Sequence, residues 1–196
     1  NSEFGMTPGF GAYPEPFALK SDKDLSWRFP VFTIGESATA TILSGVGNDW
    51  DFTNTARNDL FDLCTMTPSY STSSQVISSR VGKDGPGIFT SFGGELKKEG
   101  FPLAKNQFKV AAINPDSIDH LFTHSSSKRD WSEVARDLGL GNKIYDLYAR
   151  YGNVVSAAIP AAMALAEKEG KLKRGDQVVA LVASAGMSFS TASFVY

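Results

Sequence analysis

Hydrophobic positions fall into two regimes along this chain. Beyond about residue 115 they recur with clean periods, whereas before it they scatter among glycine, proline and aromatic residues. Asp116 to Phe122 ends in a short apolar run, the mark of a buried strand. Ser127, with Asp130 three residues later, has the form of a capping box; it opens a helix whose apolar positions Trp131, Val134, Ala135 and Leu138 share one face until Gly139 stops it. Lys143 to Leu147 reads as a strand. After Gly152-Asn153, a second helix presents Val155, Ala158, Ile159, Ala162, Met163 and Ala166 at i, i+3, i+4, i+7, i+8 and i+11, small side chains that suit close packing. Gly170 ends that helix and Lys173-Arg174-Gly175-Asp176 forms a turn. Gln177 to Ala183 and Ser188 to Val195 read as two closing strands. Strands alternating with helices predict a layered α/β core.

The first half is less regular. Residues 5 to 30, with Pro8-Gly9-Phe10-Gly11-Ala12-Tyr13-Pro14 at their centre, are expected to form an irregular segment pinned by ring packing. Phe32 to Leu43 reads as two short strands separated near Gly35-Glu36, through its β-branched residues and its alternation of Ala38, Ala40 and Ile42 with Thr39, Thr41 and Leu43. From 44 to 85 only Gln75 to Arg80 has strand character. Ile88 to Lys98 is a helix candidate that carries Gly93 and Gly94.

Composition narrows the class. With 196 residues, 42% of them hydrophobic, the chain can bury a sizeable core, as one domain or a large piece of a bigger one. Its 19 Lys and Arg against 21 Asp and Glu leave a net charge of -2, so there is no basic field for nucleic acid. No apolar run reaches the roughly 18 residues of a membrane span; the longest, Val154 to Ala166, is broken by Ser156 and Pro160. The single cysteine, Cys64, excludes an intramolecular disulfide and fits a reducing, cytoplasmic setting. Asn1-Ser2-Glu3-Phe4-Gly5-Met6 has neither the charge nor the apolar stretch of a signal peptide. Two histidines without a cysteine cluster make a metal site an unattractive reading.

Candidate chemistry sits in two loops, Phe122-Thr123-His124-Ser125-Ser126-Ser127 and Tyr151-Gly152-Asn153, each where a strand gives way to a helix. Imidazole and carboxamide both donate hydrogen bonds at neutral pH without a fixed charge, which suits stabilisation of negative charge growing on a carbonyl oxygen. Acyl transfer is the chemistry this pair suggests. Taken singly, His124 is equally a hydrogen-bonded loop histidine, and Asn153 a turn residue beside Gly152. His120 reads as structural. Cys64, between Asp59-Leu60-Phe61-Asp62-Leu63 and Thr65-Met66-Thr67-Pro68, lacks the small-residue helix start that presents a thiolate and reads as an inert buried thiol.

Five segments together resemble the C-terminal half of β-ketoacyl-acyl carrier protein synthase III enzymes, condensing enzymes of the thiolase fold. They are Phe32-Thr33-Ile34-Gly35-Glu36-Ser37-Ala38-Thr39-Ala40, the His124 loop, Tyr151-Gly152-Asn153-Val154-Val155-Ser156-Ala157-Ala158-Ile159-Pro160, Leu172-Lys173-Arg174-Gly175-Asp176 and Ala183-Ser184-Ala185-Gly186. The likeness covers about residues 30 to 45 and 115 to 196. It implies a two-halved, layered α/β thiolase-like fold with a mixed five-stranded sheet in each half. This chain would supply the C-terminal half as residues 31–196, preceded by the irregular segment 1–30; Asn1-Ser2-Glu3 resembles the end of the last strand of the first half.

The resemblance carries specific expectations. His124 and Asn153 would face an acyl-thioester carbonyl. The Ala185-Gly186 backbone would contribute to an oxyanion hole, with Ala185 where a glycine is common. Lys128 and Arg129 would meet the phosphate of coenzyme A or a carrier protein at the mouth of a pantetheine tunnel. The nucleophilic cysteine would lie in an N-terminal half that acts as partner, within a homodimer or heterodimer, and this chain alone would aggregate or fail to fold. Substrates would be acyl-coenzyme A or acyl carrier protein thioesters, with no tightly bound cofactor, in fatty acid or polyketide-like synthesis. Ser125-Ser126-Ser127 replaces the family's Gln-Ala-Asn, so two alternatives stay open: acyl transfer to an oxygen or nitrogen nucleophile, with His124 as base, and a non-catalytic partner subunit.

Overall fold

A computed structural model describes residues 2–3, 18–43, 45, 47, 50–67, 78–85 and 88–196. Its strands are β1 (Ser2–Glu3), β2 (Ser37–Ala38), β3 (Asp51–Ala56), β4 (Cys64–Met66), β5 (Phe89–Ser91), β6 (His120–Thr123), β7 (Gln177–Ser184) and β8 (Ser188–Val195). The helices are α1 (Leu25–Arg28), α2 (Gly93–Val110), α3 (Lys128–Asp137), α4 (Tyr148–Tyr151) and α5 (Ala158–Lys168). A four-stranded mixed sheet in the order β3-β8-β7-β6 forms the middle layer, with β6 parallel to β7 and the other pairs antiparallel.

Period-2 alternation builds the two faces of that layer. Leu121, Val179 and Leu181 face one way, into a core made with Phe108 of α2 and Trp131, Val134 and Ala135 of α3. Phe122, Val178 and Phe194 face the other way, onto Ala158, Ala162 and Ala166 of α5. The alanines let α5 lie close to the sheet, as their spacing predicts. Beyond β6, the expected strand Lys143 to Leu147 shrinks to one bridge at Ile144. There Leu121 donates its N–H to the Lys143 carbonyl (2.9 Å) and accepts from the Tyr145 N–H (3.0 Å), holding a fifth strand position without a ladder.

The expectations for the first half need correction. Phe32 to Leu43 does not form two strands. Phe29–Thr33 is a 3-10 turn with Pro30 near its start, Ile34 makes a bridge to Asn153, and only Ser37–Ala38 pairs, with β1. Ile42 beyond it is 96% exposed, so its β-branched pattern never meets a sheet face. The strand candidate Gln75 to Arg80 lies partly outside the described residues, and 78–80 form a bend and turn. Residues 18–30 of the segment expected to be irregular hold a 3-10 turn and the short α1.

Ile88 to Lys98 splits into β5 and the start of α2, which continues to Val110 through Gly100 and Pro102. Proline removes one intrahelical hydrogen bond, but tertiary packing outweighs that loss. At Gly100 a Cβ would sit 2.7 Å from the Met187 methyl, and Ala104, Gln107 and Phe108 are buried on the same helix. Gln107, fully buried, donates to the Thr53 carbonyl (2.6 Å) and accepts from the Thr55 hydroxyl (2.7 Å), tying α2 to the edge strand β3.

Candidate active site

A cavity of about 200 Å³ opens where the C-terminal ends of β6 and β7 meet the N-terminal turn of α3 and the first half of α2. His124, Asn153 and Ala185 all line it, together with Ala183, Ser184 and Met187 from the β7–β8 hairpin. Each position follows from local structure. His124 is the residue after β6, and its N–H bonds the Leu181 carbonyl of β7 at 3.4 Å. Ser127 then caps α3, accepting the Asp130 N–H at 3.3 Å. Asp130 completes only that half of the expected capping box, for its carboxylate takes Lys97 of α2 at 2.8 Å.

Asn153 is held by backbone on both sides. Its N–H reaches the Thr33 carbonyl (2.7 Å), and its carbonyl accepts the Gly35 N–H (2.9 Å). This approach leaves no room for side chains: a Cβ on Gly35 would lie 2.0 Å from the Tyr151 carbonyl oxygen, and one on Gly152, at φ 69°, would lie 2.6 Å from that of Thr33. The segment with the Phe32-Thr33-Ile34-Gly35 sequence therefore serves as a clamp on Asn153 and not as a sheet strand.

Val155 orders the chemistry. Its N–H donates to Asn153 Oδ1 at 3.0 Å, so the amide oxygen is occupied and the NH2 end is left as the group the cavity can use. Val155 itself sits at φ 46° and is exposed, the opposite of the buried helix position its spacing predicts; a β-branched residue in the left-handed region is strained. The second helix begins only at Ala158, after a 3-10 turn over Val155–Ala157. Burial pushes the His124 imidazole below its ordinary value, and a hydrogen bond with the Val155 backbone works against that. The ring is neutral at pH 7.

The remaining predicted residues divide. Gly186, at φ 123°, forms the hairpin turn but is not on the cavity wall, and the neighbouring Met187 N–H is bound to the Arg57 carbonyl at 3.1 Å. Neither Lys128 nor Arg129 lines the cavity. Lys128 turns to Asp146 (3.4 Å) beside a separate shallow cleft, and Arg129 is exposed on the first turn of α3. Among the described residues, the cation on the cavity wall is Lys97, paired with Asp130 and, at 3.5 Å, with Glu133.

Cys64 also lines the cavity. Burial raises its thiol pKa, against a weaker opposing hydrogen bond from Ser91, so the thiol stays protonated as its sequence context suggests. His120 lies at the other end of β6, bonded to Asp176 (3.1 Å). Among the described residues, no group of three or more His, Cys, Asp or Glu could hold a metal, and no helix is long and apolar enough to cross a membrane.

The fold is thiolase-like. It superposes with a TM-score of 0.72 on Xanthomonas campestris OleA solved with lauric acid and lauroyl-CoA, at 17% identity, covering 90% of this chain and 50% of that one. With the 3-oxoacyl-(acyl carrier protein) synthase III of Xanthomonas oryzae pv. oryzae the score is 0.66 at 19% identity, covering 86% and 48%. In sequence, residues 108–196 match the family model described as 3-Oxoacyl-[acyl-carrier-protein (ACP)] synthase III C terminal. The β-ketoacyl-[acyl-carrier-protein] synthase III of Bradyrhizobium diazoefficiens is 31% identical over 121 residues, 56% of this chain and 37% of that protein. That of Vesicomyosocius okutanii is 28% identical over 169 residues, 84% and 51%. Residues 108–196 are thus similar to the C-terminal part of synthase III enzymes, and the chain spans about half or less of these relatives' length.

Proposed function

We propose that this chain provides the carbonyl-binding half of a ketosynthase III-type acyltransferase, condensing an acyl thioester held on a cysteine of a complementary N-terminal half with a malonyl-type acceptor. The observation that carries this reading is the convergence of His124 and Asn153 on one cavity, with Asn153 Oδ1 tied back so that its NH2 end is the available donor. As the acceptor thioester loses carbon dioxide, negative charge builds on its carbonyl oxygen, and neutral donors in a water-poor pocket stabilise it without prior reorganisation. The enolate carbon then attacks the acyl carbonyl, and the cysteine thiolate leaves. Coenzyme A or carrier-protein thioesters are the substrates, with no resident cofactor, and the family names of the relatives support that class. Within this reading the backbone at Ala185 and Gly186 borders the acyl carbonyl, and Lys128 and Arg129 meet carrier phosphate from outside the cavity.

One observation favours a second reading. The Val155 backbone raises the His124 pKa against burial, as a carbonyl accepting the imidazole N–H would. In that tautomer the imidazole would turn a lone pair to the cavity and act as a general base, as transfer to an oxygen or nitrogen nucleophile requires, whereas condensation needs the N–H on the cavity side. Incubating the assembled halves with acyl-coenzyme A, then with either malonyl thioester or a nucleophile bearing a hydroxyl or amine, separates the two. Carbon dioxide release with a β-ketoacyl product supports condensation. Release of free thiol with ester or amide supports the base reading, and absence of both products overturns the acyltransferase reading.

A further inference from the structure

Ser125, in one of the positions where this chain departs from its family's pattern, has its own place in the site. It follows His124 directly and is 5% exposed. Its hydroxyl donates to the Gly152 carbonyl at 3.0 Å and accepts the Val154 N–H at 3.4 Å. These two backbone groups bracket Asn153 on either side. One hydroxyl therefore joins the loop that carries the imidazole to the loop that carries the carboxamide, 27 residues further along the chain.

We propose that Ser125 is a positioning residue that sets the separation of His124 and Asn153. The inference rests on the acyltransferase reading for its catalytic consequence, but its geometry is independent of that reading. A buried serine hydroxyl that both donates and accepts has no slack: removing it leaves a part-buried carbonyl and a buried N–H without this partner, and the loops move apart or admit water to recover solvation. The other tie on Asn153, through Thr33 and Gly35, fixes it to the 31–38 segment and not to His124. Ser125 alone among the polar side chains beside His124 reaches across to both neighbours of Asn153. Ser126 instead accepts from Trp131 Nε1 at 3.0 Å, and Ser127 is spent on capping α3.

The test compares Ser125→Thr with Ser125→Val, nearly isosteric variants that differ in the hydroxyl, so that crowding by the added methyl cancels between them; Ser125→Ala is the third member. Two readouts are taken on the chain in its assembled complex. The first is the His124 titration by NMR, which needs no turnover. The second is kcat and KM for acyl transfer in the assembled complex. The expected result is that Thr keeps the His124 midpoint below the ordinary imidazole range, whereas Val and Ala move it upward as water reaches the ring. With them kcat falls about tenfold or more at nearly unchanged KM, as loss of alignment without loss of binding requires. A Val variant with the same His124 midpoint and the same kcat as the Thr variant overturns the proposal. Should the complex show no acyl transfer at all, the acyltransferase reading fails while the titration still decides the role of Ser125.

Discussion

His124 and Asn153 differ in what fixes them, and the difference makes their variants distinguishable. Asn153 is held by three hydrogen bonds with backbone groups of Thr33, Gly35 and Val155, two of them through its own main chain, so Asn153→Ala should fold normally and lose chemistry. Removal of a donor of this kind costs about 100-fold or more in kcat, with little change in KM. Burial disfavours the charged form of His124, giving it a folded pKa below the unfolded value of 6.5. The unfolded chain therefore binds more protons in the window just below 6.5, and stability rises with pH there. Its contribution is complete above that value and declines as pH falls, at up to about 1.4 kcal/mol per unit, until the folded pKa is reached. Urea denaturation between pH 7 and pH 5 should show this decline, and His124→Gln should flatten it; an equal decline in both proteins would assign the effect to other groups.

At the scale of elements, the site depends on two segments, around Gly35 and Gly152, that approach without side chains between them. Gly152→Ala places a Cβ in a left-handed conformation and 2.6 Å from the Thr33 carbonyl oxygen, so the 31–38 segment must withdraw. The expected outcome is loss of amide exchange protection at Asn153 and Gly35, with the protection of β7 and β8 intact. On α5, Ala162→Leu forces extra volume against Phe122 and Val178, costing about 1–3 kcal/mol measurable by denaturant midpoint. The elements whose partners lie nearby in sequence or repeat regularly were legible in advance: α3 from Ser127 to Leu138, α5 from its alanines, and the β7–β8 hairpin. Those set by distant contacts were not. Nothing local in Gly100 or Pro102 announces a helix that continues to Val110, because its support comes from Met187 and Thr53. The β-branched run to Leu43 lacks the neighbouring strand that would have made it a sheet element. At the site, His124 and Asn153 could be found by motif, whereas the strained Val155 backbone, the wall position of Lys97 and the Ser125 staple depend on how two loops meet.

Across the whole molecule, the sheet is covered on both faces by its own helices, while the surroundings of the site are not. Phe29 (58% exposed), Phe32, Tyr151 and Val155 are exposed apolar residues beside the cavity-lining Pro30, Thr33 and Asn153. A partner that brings the cysteine would cover them, and the proposal of a complementary half gives this surface its purpose. The chain alone should bind a hydrophobic dye and self-associate in size-exclusion chromatography, and both should diminish when the complementary half is added.

The central claim is that a cysteine from the complementary half is acylated and delivers its acyl group at His124 and Asn153. Intact mass spectrometry of the native complex, before and after acyl-coenzyme A, tests it most directly. The account predicts an acyl mass increment on a cysteine of the partner and none on Cys64, with the increment persisting when acceptor is added to the His124→Ala or Asn153→Ala complex and discharging from the unaltered one. A stable monomer of this chain with no acylated partner, or an increment that appears on Cys64, would contradict it.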